Sequence, residues 1–450
     1  MKITRAENAS VLKYQSEKLM QRMLSPFCGL SQEIGYVSRI HSDKRLIIGS
    51  AALTGIHVLF NRPNPGRGAY HIGGTGILPN ESMIRILGET VERYAQLISD
   101  FSFAEKLKFA SYREIAASGE LILPFEACLF YSNHQLQRQG FPFAAITPDS
   151  KLSWLQMISL QDTTATWVPA QLVLVGYDIR RKEGEPWVTS AVTTGTATHV
   201  DYTRAFRAAL LELIQLDSVM GHWYSDWKAY EIKMDARVSR LNKLIQQYST
   251  TSDHAYRFYY LPNPDLAGFS IACLYTQARA LPKVVIGLGA DLSLENAMYK
   301  AFLETVASVG LARMVVFKGK YEMDKHTGPI DPDHLYDLDR NVEYYGGGHA
   351  FQHIEDRFLK MGKISASKLP PDIEGTEQEQ VNYLINSFLK NKKIYWLDLT
   401  TIEAKTLGFK VVRVWSPDTL SLCLPSAPQV LHPRFNDFGG VKHEYPHPYP

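Results

Sequence analysis

Three segments of the chain share one layout, and that layout constrains the fold more than any other feature. "GGTGILPNE", "TTGTATHVD" and "GLGADLSLE" each put glycine in a turn just ahead of a helix-periodic run. Each run carries a glutamate about three turns in, at Glu89, Glu212 and Glu304. Seven positions before each stands a small residue, Ser82, Ala205 or Ala297. Seven residues make nearly two helical turns, so the small residue and the carboxylate share a face and the glutamate has room beside it.

The three helices differ in how they treat that carboxylate. In the first, Met83, Leu87, Val91, Tyr94 and Ile98 form an apolar stripe, with Arg85, Glu89, Glu92 and Gln96 on the opposite side, as on a solvated face. In the second, Glu212 lies among Ala205, Ala208, Leu216 and Val219 in a nearly all-apolar stretch. Glu304 sits among Ala297, Ala301 and Ser308, with Lys300 one turn earlier. A buried carboxylate is too costly to persist without a partner. Carboxylates on small-residue faces, behind glycine turns whose amides suit anions, match the needs of a Mg2+-nucleotide site. No G-x-x-x-x-G-K-[ST] sequence occurs, so such a site is not a P-loop.

An apolar fraction of 45% over 450 residues predicts a globular chain with a sizeable core. Its formal net charge of +2 supplies no long-range attraction for nucleic acid or anionic lipid. The N-terminus is charged throughout and no apolar run approaches a membrane span, which gives a cytoplasmic expectation with no membrane and no nucleic-acid partner. Cys28, Cys128, Cys273 and Cys423 are widely spaced, as expected of buried, reduced thiols. Strand patterns at 171–179, 283–290, 393–400 and 410–417 alternate with helical periodicity at 81–98, 202–220, 294–309 and 376–390. The fold class expected is α/β (mixed α+β). The tail "LHPRFNDFGGVKHEYPHPYP" is set apart by its proline and histidine.

The order of these segments resembles the YcaO-domain family. "GGTGILPNESMIRILGETVERYAQ" is similar to that family's first motif, a glycine turn followed by an E-x-x-E-R-Y helix. "TTGTATHVDYTRAFRAALLELIQLDSVMGHW" resembles the second, which ends in an E-x-x-E-R-D-like run, and "GLGADLSLENAMYKAFLETVAS" the third. "DLDRNVEYYG" and "KKIYWLDLTTIEAKTLGFKVVRVWSP" resemble later parts of the family. The resemblance runs from about residue 28 to the C-terminus and implies one YcaO domain over 1–450. Residues 1–70 would be its N-terminal region, 71–320 the ATP/Mg2+-binding helices and 321–450 the C-terminal part.

The resemblance implies sheets flanked by helices around a central cleft for the cofactors ATP and Mg2+. Glu89, Glu92, Glu212 and Glu304 would hold metal, and Arg85, Glu89, Arg93 and Gln215 would bind ATP. Some positions depart from the family pattern: Gln215 and Leu216 replace Glu and Arg, Ala307 replaces Gln, Arg85 replaces Ser and Thr75 replaces Lys. The ending "PHPYP", Pro446 to Pro450, matches the P-x-P-x-P of azoline-forming members, with the Pro450 carboxylate as candidate catalytic base. Such cyclodehydratases close Cys, Ser or Thr onto the preceding amide of a ribosomal precursor peptide. ATP phosphorylates the oxygen that then leaves. The implied partners are the precursor peptide, with its leader and core, a separate E1-like (ThiF-like) chain that grips the leader, an FMN-dependent azoline dehydrogenase and a second copy of the chain in a homodimer. Two alternatives are a thioamide-forming YcaO enzyme and a non-catalytic scaffold that binds the leader peptide.

Overall fold

The computed structural model describes residues 6–37, 44–54, 71–248, 255–323 and 330–449. Three sheets carry the architecture. The smallest is antiparallel, in the order β1 (Ser31–Tyr36), β2 (Ile47–Leu53), β3 (His71–Gly76). A six-stranded sheet runs β4 (Lys108–Ser111), β5 (Lys151–Ser159), β13 (Tyr395–Asp398), β14 (Lys410–Trp415), β7 (Thr196–His199), with β6 (Ala165–Pro169) also paired to β5. A five-stranded sheet runs β11 (Val284–Asp291), β10 (Phe269–Thr276), β9 (Ala255–Tyr260), β8 (Tyr230–Lys233), β12 (Lys363–Ser365), and its β8–β12 pair is parallel. The principal helices are α1 (Ala6–Met23), α2 (Pro79–Leu97), α3 (Tyr202–Tyr224), α4 (Leu294–Met323), α5 (Leu338–Gly346) and α6 (Glu377–Leu389).

The three repeated segments become three strand–helix units: β3 into α2, β7 into α3 and β11 into α4. In two of them, the glycines and small residues let the helix lie directly on its own strand. A Cβ on Gly74 would sit 2.6 Å from the Ser82 carbonyl oxygen, and one on Gly289 would land on the Ala297 carbonyl. Ser82 also donates to the Gly74 carbonyl at 2.7 Å. Seating the helix is therefore a second duty of the small residues.

The 23-residue helix α3 starts from Asp201, whose side chain caps the Arg204 N–H, and ends deep in the protein. Its first half packs with Val412, Val414, Ala290 and Leu292, and its second half with Leu274, Ile286 and Tyr345. This central helix joins the two larger sheets. It is pinned by Asp217, which meets Arg434 at 2.6 Å with both side chains almost fully buried.

Most expected elements fall within a residue or two of their observed bounds, but α3 continues to Tyr224 and α4 to Met323. The stretch 171–179 is not a strand. It opens as the single helical turn Ala170–Val173 just after Pro169. The Gln171 side chain crosslinks it to the Pro186 carbonyl and the Val188 N–H at 2.9 Å each. A short apolar run buried on all sides has no period to separate the two states. The buried face of α2 also differs from the expected stripe: it comprises Ser82, Ile86, Leu87, Thr90, Val91, Ala95 and Gln96, because a sheet covers one side and the largest core cluster another. Cys128, Cys273 and Cys423 are buried free thiols as expected, whereas Cys28 is exposed. No helix among the described residues is long and apolar enough to cross a membrane.

The proline-rich tail is not a loose end. Pro446 to Tyr449 are buried, and side-chain donors hold the tail's carbonyls. Trp223 Nε1 donates to Tyr445 O at 3.1 Å, Tyr345 Oη to Pro446 O at 2.6 Å, and Asn341 Nδ2 to both His447 O and Tyr449 O at 2.7 and 2.8 Å. His447 Nε2 pairs with the Cys423 carbonyl at 2.8 Å. The grip is on main-chain atoms, which suits an extended, proline-stiffened path.

Candidate active site

The strand–helix units converge on one cleft of about 2400 Å³. Arg85, Glu89, Glu92, Arg93, Glu212, Gln215 and Glu304 all line it, as do Thr75 and Ala307. Pro450 lies outside the described residues, but Tyr449, just before it, lines the same cleft.

Each carboxylate is placed by its helix and touched by a neighbouring strand or loop. Glu89 Oε2 accepts from the Gly73 N–H at 3.2 Å, and its Oε1 lies 3.6 Å from Arg93 Nε. The backbone N–H of Thr198 serves Glu92, and that of Leu288 serves Glu304. Arg85 pairs with Glu81 at 3.2 Å. Glu81 also accepts from the Ile77 N–H at 2.9 Å and the Tyr299 hydroxyl at 2.9 Å, which ties the start of α2 to α4.

Water reaches the four glutamates through the cleft, but the surrounding protein desolvates them, and all four hold protons more tightly than a free carboxyl. Desolvation raises Glu89 despite Arg93. It raises Glu92 strongly, and the charge of Glu212 pushes further in the same direction. Glu212 rises to about 8 through burial, with Arg413 and Arg93 opposing and Glu304 and Glu89 adding. Burial takes Glu304 to about 7, the Leu288 N–H opposing. A desolvated cluster of mutually repelling carboxylates is a site that cations stabilise.

No three carboxylate, imidazole or thiol groups among the described residues already converge to hold an ion. Mg2+ is usually held by one or two carboxylates plus phosphate oxygens and water, and glutamates spread along a cleft fit that mode. Thr75 Oγ1 and Thr198 Oγ1 are buried, unpartnered hydroxyls on cleft-lining residues.

Sequence reasoning missed four contributors. Arg413 on β14 is 1% exposed, donates to Val192 O at 2.7 Å and Thr196 Oγ1 at 3.0 Å, and puts its charge beside Glu212 and Glu92. Burial outweighs those carboxylates and takes it down to about 10. A lone arginine inside the apolar run "KVVRVW" was the available signal. Asn341 and Tyr345 of α5 grip the tail, and the aspartate of the second motif, Asp217, is the structural partner of Arg434.

Fold and site together define a mixed helix-and-sheet protein whose deep cleft gathers four desolvated glutamates. A family model described as YcaO cyclodehydratase, ATP- and Mg2+-binding, matches residues 73–420. The chain belongs to the YcaO family. A heterocyclase solved in complex with substrate and cofactor superimposes with a TM-score of 0.72 at 18% identity, covering 97% of this chain and 57% of that one. The chain thus spans little more than half the length of that relative. YcaO from Methanopyrus kandleri, bound with AMPPCP and Mg2+, superimposes at TM-score 0.59 and 15% identity over 91% of this chain and 90% of that one. A chain of the E. coli microcin synthetase McbBCD complex with pro-MccB17 bound gives 0.58 and 15%, over 93% and 96%. No curated protein matches the sequence.

Proposed function

We propose that the chain is an ATP-dependent peptide cyclodehydratase that converts Cys, Ser or Thr of a ribosomal precursor peptide to thiazoline or oxazoline. The observation carrying this reading is the meeting, in one cleft, of four desolvated glutamates and Tyr449 of the gripped tail. Glu89, Glu92, Glu212 and Glu304 are the proposed holders of Mg2+, with Arg93, Arg85 and Gln215 toward the phosphates. When bound, the Mg2+-nucleotide supplies a phosphoryl group that turns an amide oxygen into a leaving group.

The chain's own residues do the rest. Backbone N–H groups aim Glu89, Glu92 and Glu304, while Arg93 and Arg413 offset part of the negative charge of the cluster. Buried Tyr449 closes one wall of the cleft against water. The Pro450 carboxylate remains the proposed base for the thiol or hydroxyl proton. The proposed organisation is one YcaO domain, working as a homodimer with a separate E1-like chain and an FMN-dependent dehydrogenase.

Mass spectrometry on precursor peptide incubated with this chain, partner, ATP and Mg2+ tests the reading. Loss of one water per ring supports it. A mass gain from replacing oxygen by sulfur identifies a thioamide-forming enzyme instead, and unchanged peptide with no ATP turnover a scaffold.

A further inference from the structure

The strand β1 lies at the edge of its sheet, and its outer side is open. The Val37 N–H donates to the Ile48 carbonyl at 2.9 Å, and the antiparallel register sets Tyr36 against Gly49, Gly35 against Ser50 and Ile34 against Ala51. Ladder bonds alternate along an antiparallel pair, so Gly35 bonds to β2 while the N–H and C=O groups of Ile34 and Tyr36 point away from it. Carried across β2, the same alternation turns the Gly73 N–H outward on β3, where it meets Glu89. Among the described residues no other strand or main-chain group takes the outward groups of Ile34 and Tyr36. A bulge at Ser31/Glu33 and the Ser25 N–H on the Ser31 carbonyl close only the first end of the strand. Edge strands are usually guarded by lysine, proline or a covering element. "SQEIGY" has neither lysine nor proline and Glu33 as its sole charge. Tyr36 and Val37 are 51% and 45% exposed, and a Cβ added to Gly35 meets nothing within 4 Å.

We infer that β1 pairs with β1 of a second copy, antiparallel about a two-fold axis at Gly35, and joins two three-stranded sheets into one. That register satisfies both outward residues of each copy: each Tyr36 N–H donates to the facing Ile34 carbonyl, and each Ile34 N–H to the facing Tyr36 carbonyl. It sets the Ile34 side chain opposite the partner's Tyr36, a favourable aliphatic–aromatic pair. Glu33 faces the partner's Val37, which keeps the two carboxylates apart. Gly35 meets its own copy on the axis, where the strands come closest. A strand complementary to itself in the register that meets all these free groups fits a second copy, because a two-fold interface demands self-complementarity. Val37 lines the cleft, so the shared sheet runs from the wall of one cleft to the wall of the other. The inference rests on the homodimer of the proposed organisation and needs neither nucleotide nor peptide, so its failure leaves the chemistry of the cleft standing.

Sedimentation equilibrium and a disulfide trap on the full chain test it. The wild-type chain should be dimeric at micromolar concentration. Tyr36→Pro removes an outward N–H that the β1–β2 ladder does not use, so it should keep the fold by circular dichroism and weaken the dimer by about 10-fold or more, well beyond the effect of Tyr36→Ala. Facing residues of a non-hydrogen-bonded pair lie about 4.5 Å apart at Cα, within the disulfide range of about 4.4–6.8 Å. Gly35→Cys, made with Cys28→Ser because Cys28 is exposed, should therefore give a covalent dimer on mild oxidation. Glu33→Cys in the same background should not, since its two copies lie roughly 13 Å apart in this register. A wild-type dimer that Gly35→Cys fails to cross-link, or that a folded Tyr36→Pro leaves undiminished, overturns the inference and puts the homodimer contact on another surface. Should Tyr36→Pro fail to fold, the cross-link decides alone. A monomeric wild-type chain removes the homodimer and this inference together and leaves the edge to a different chain.

Discussion

Glu304→Gln should raise stability while removing activity. Burial lifts the Glu304 carboxyl from the ordinary 4.5 to about 7. Between those values the native chain holds a proton that the unfolded chain has released, so the native state binds more protons and stability falls as pH rises. The loss begins near pH 4.5 and is complete just above about pH 7. That gap corresponds to roughly 3 kcal/mol, and water in the open cleft reduces it to about 1–2 kcal/mol. Glutamine can still accept from the Leu288 N–H and carries no charge. Urea unfolding without Mg2+ or nucleotide should show Glu304→Gln more stable than wild type by about 1–2 kcal/mol at pH 8, with the gain vanishing near pH 4.5. Peptide-dependent phosphate release should be lost in the same variant. Undiminished ATP turnover, or a variant less stable than wild type at pH 8, would refute the reasoning.

Asn341→Ala removes the donor that holds His447 O and Tyr449 O; ring formation should fall far more than ATP affinity, and a short tag after Pro450 should act similarly, both seen by measuring product mass and nucleotide binding on the same preparations. Arg434→Met strands Asp217 in the core and should cost about 3–5 kcal/mol, read as a lower urea midpoint. Gly289→Ala forces α4 off β11 and should cost about 1–3 kcal/mol and weaken Mg2+-dependent nucleotide binding, measured by calorimetry. The chain without its E1-like partner should turn over little full-length precursor, and robust ring formation by the chain alone would count against the proposed division of labour.

The three strand–helix units were legible because small residue and glutamate recur seven positions apart behind a glycine turn, and in two of the units glycine and small residue meet a local demand of helix-on-strand packing. The seven cleft-lining candidates came from the same local signal together with the family resemblance. What escaped was non-local. Nothing near Arg413 in sequence announces Glu212, about 200 positions earlier, and Gln96 looked solvated because a helix read alone cannot show that both of its sides are covered. The 171–179 segment was misread because its buried opening, residues 171–174, is an apolar run too short to separate strand from helix.

The threaded tail has a consequence for how the protein is made. Tyr449 belongs to the same core cluster as Trp223, Tyr224 and Tyr345, so residues more than two hundred positions apart in synthesis must close one packing unit together. A nascent chain can complete its glycine-backed strand–helix units early, because their contacts are local. The wall of the cleft waits until Tyr449 has left the ribosome. Until then the slot between α3 and α5 stands open and apolar, a surface for chaperones to hold and a window in which aggregation competes with folding.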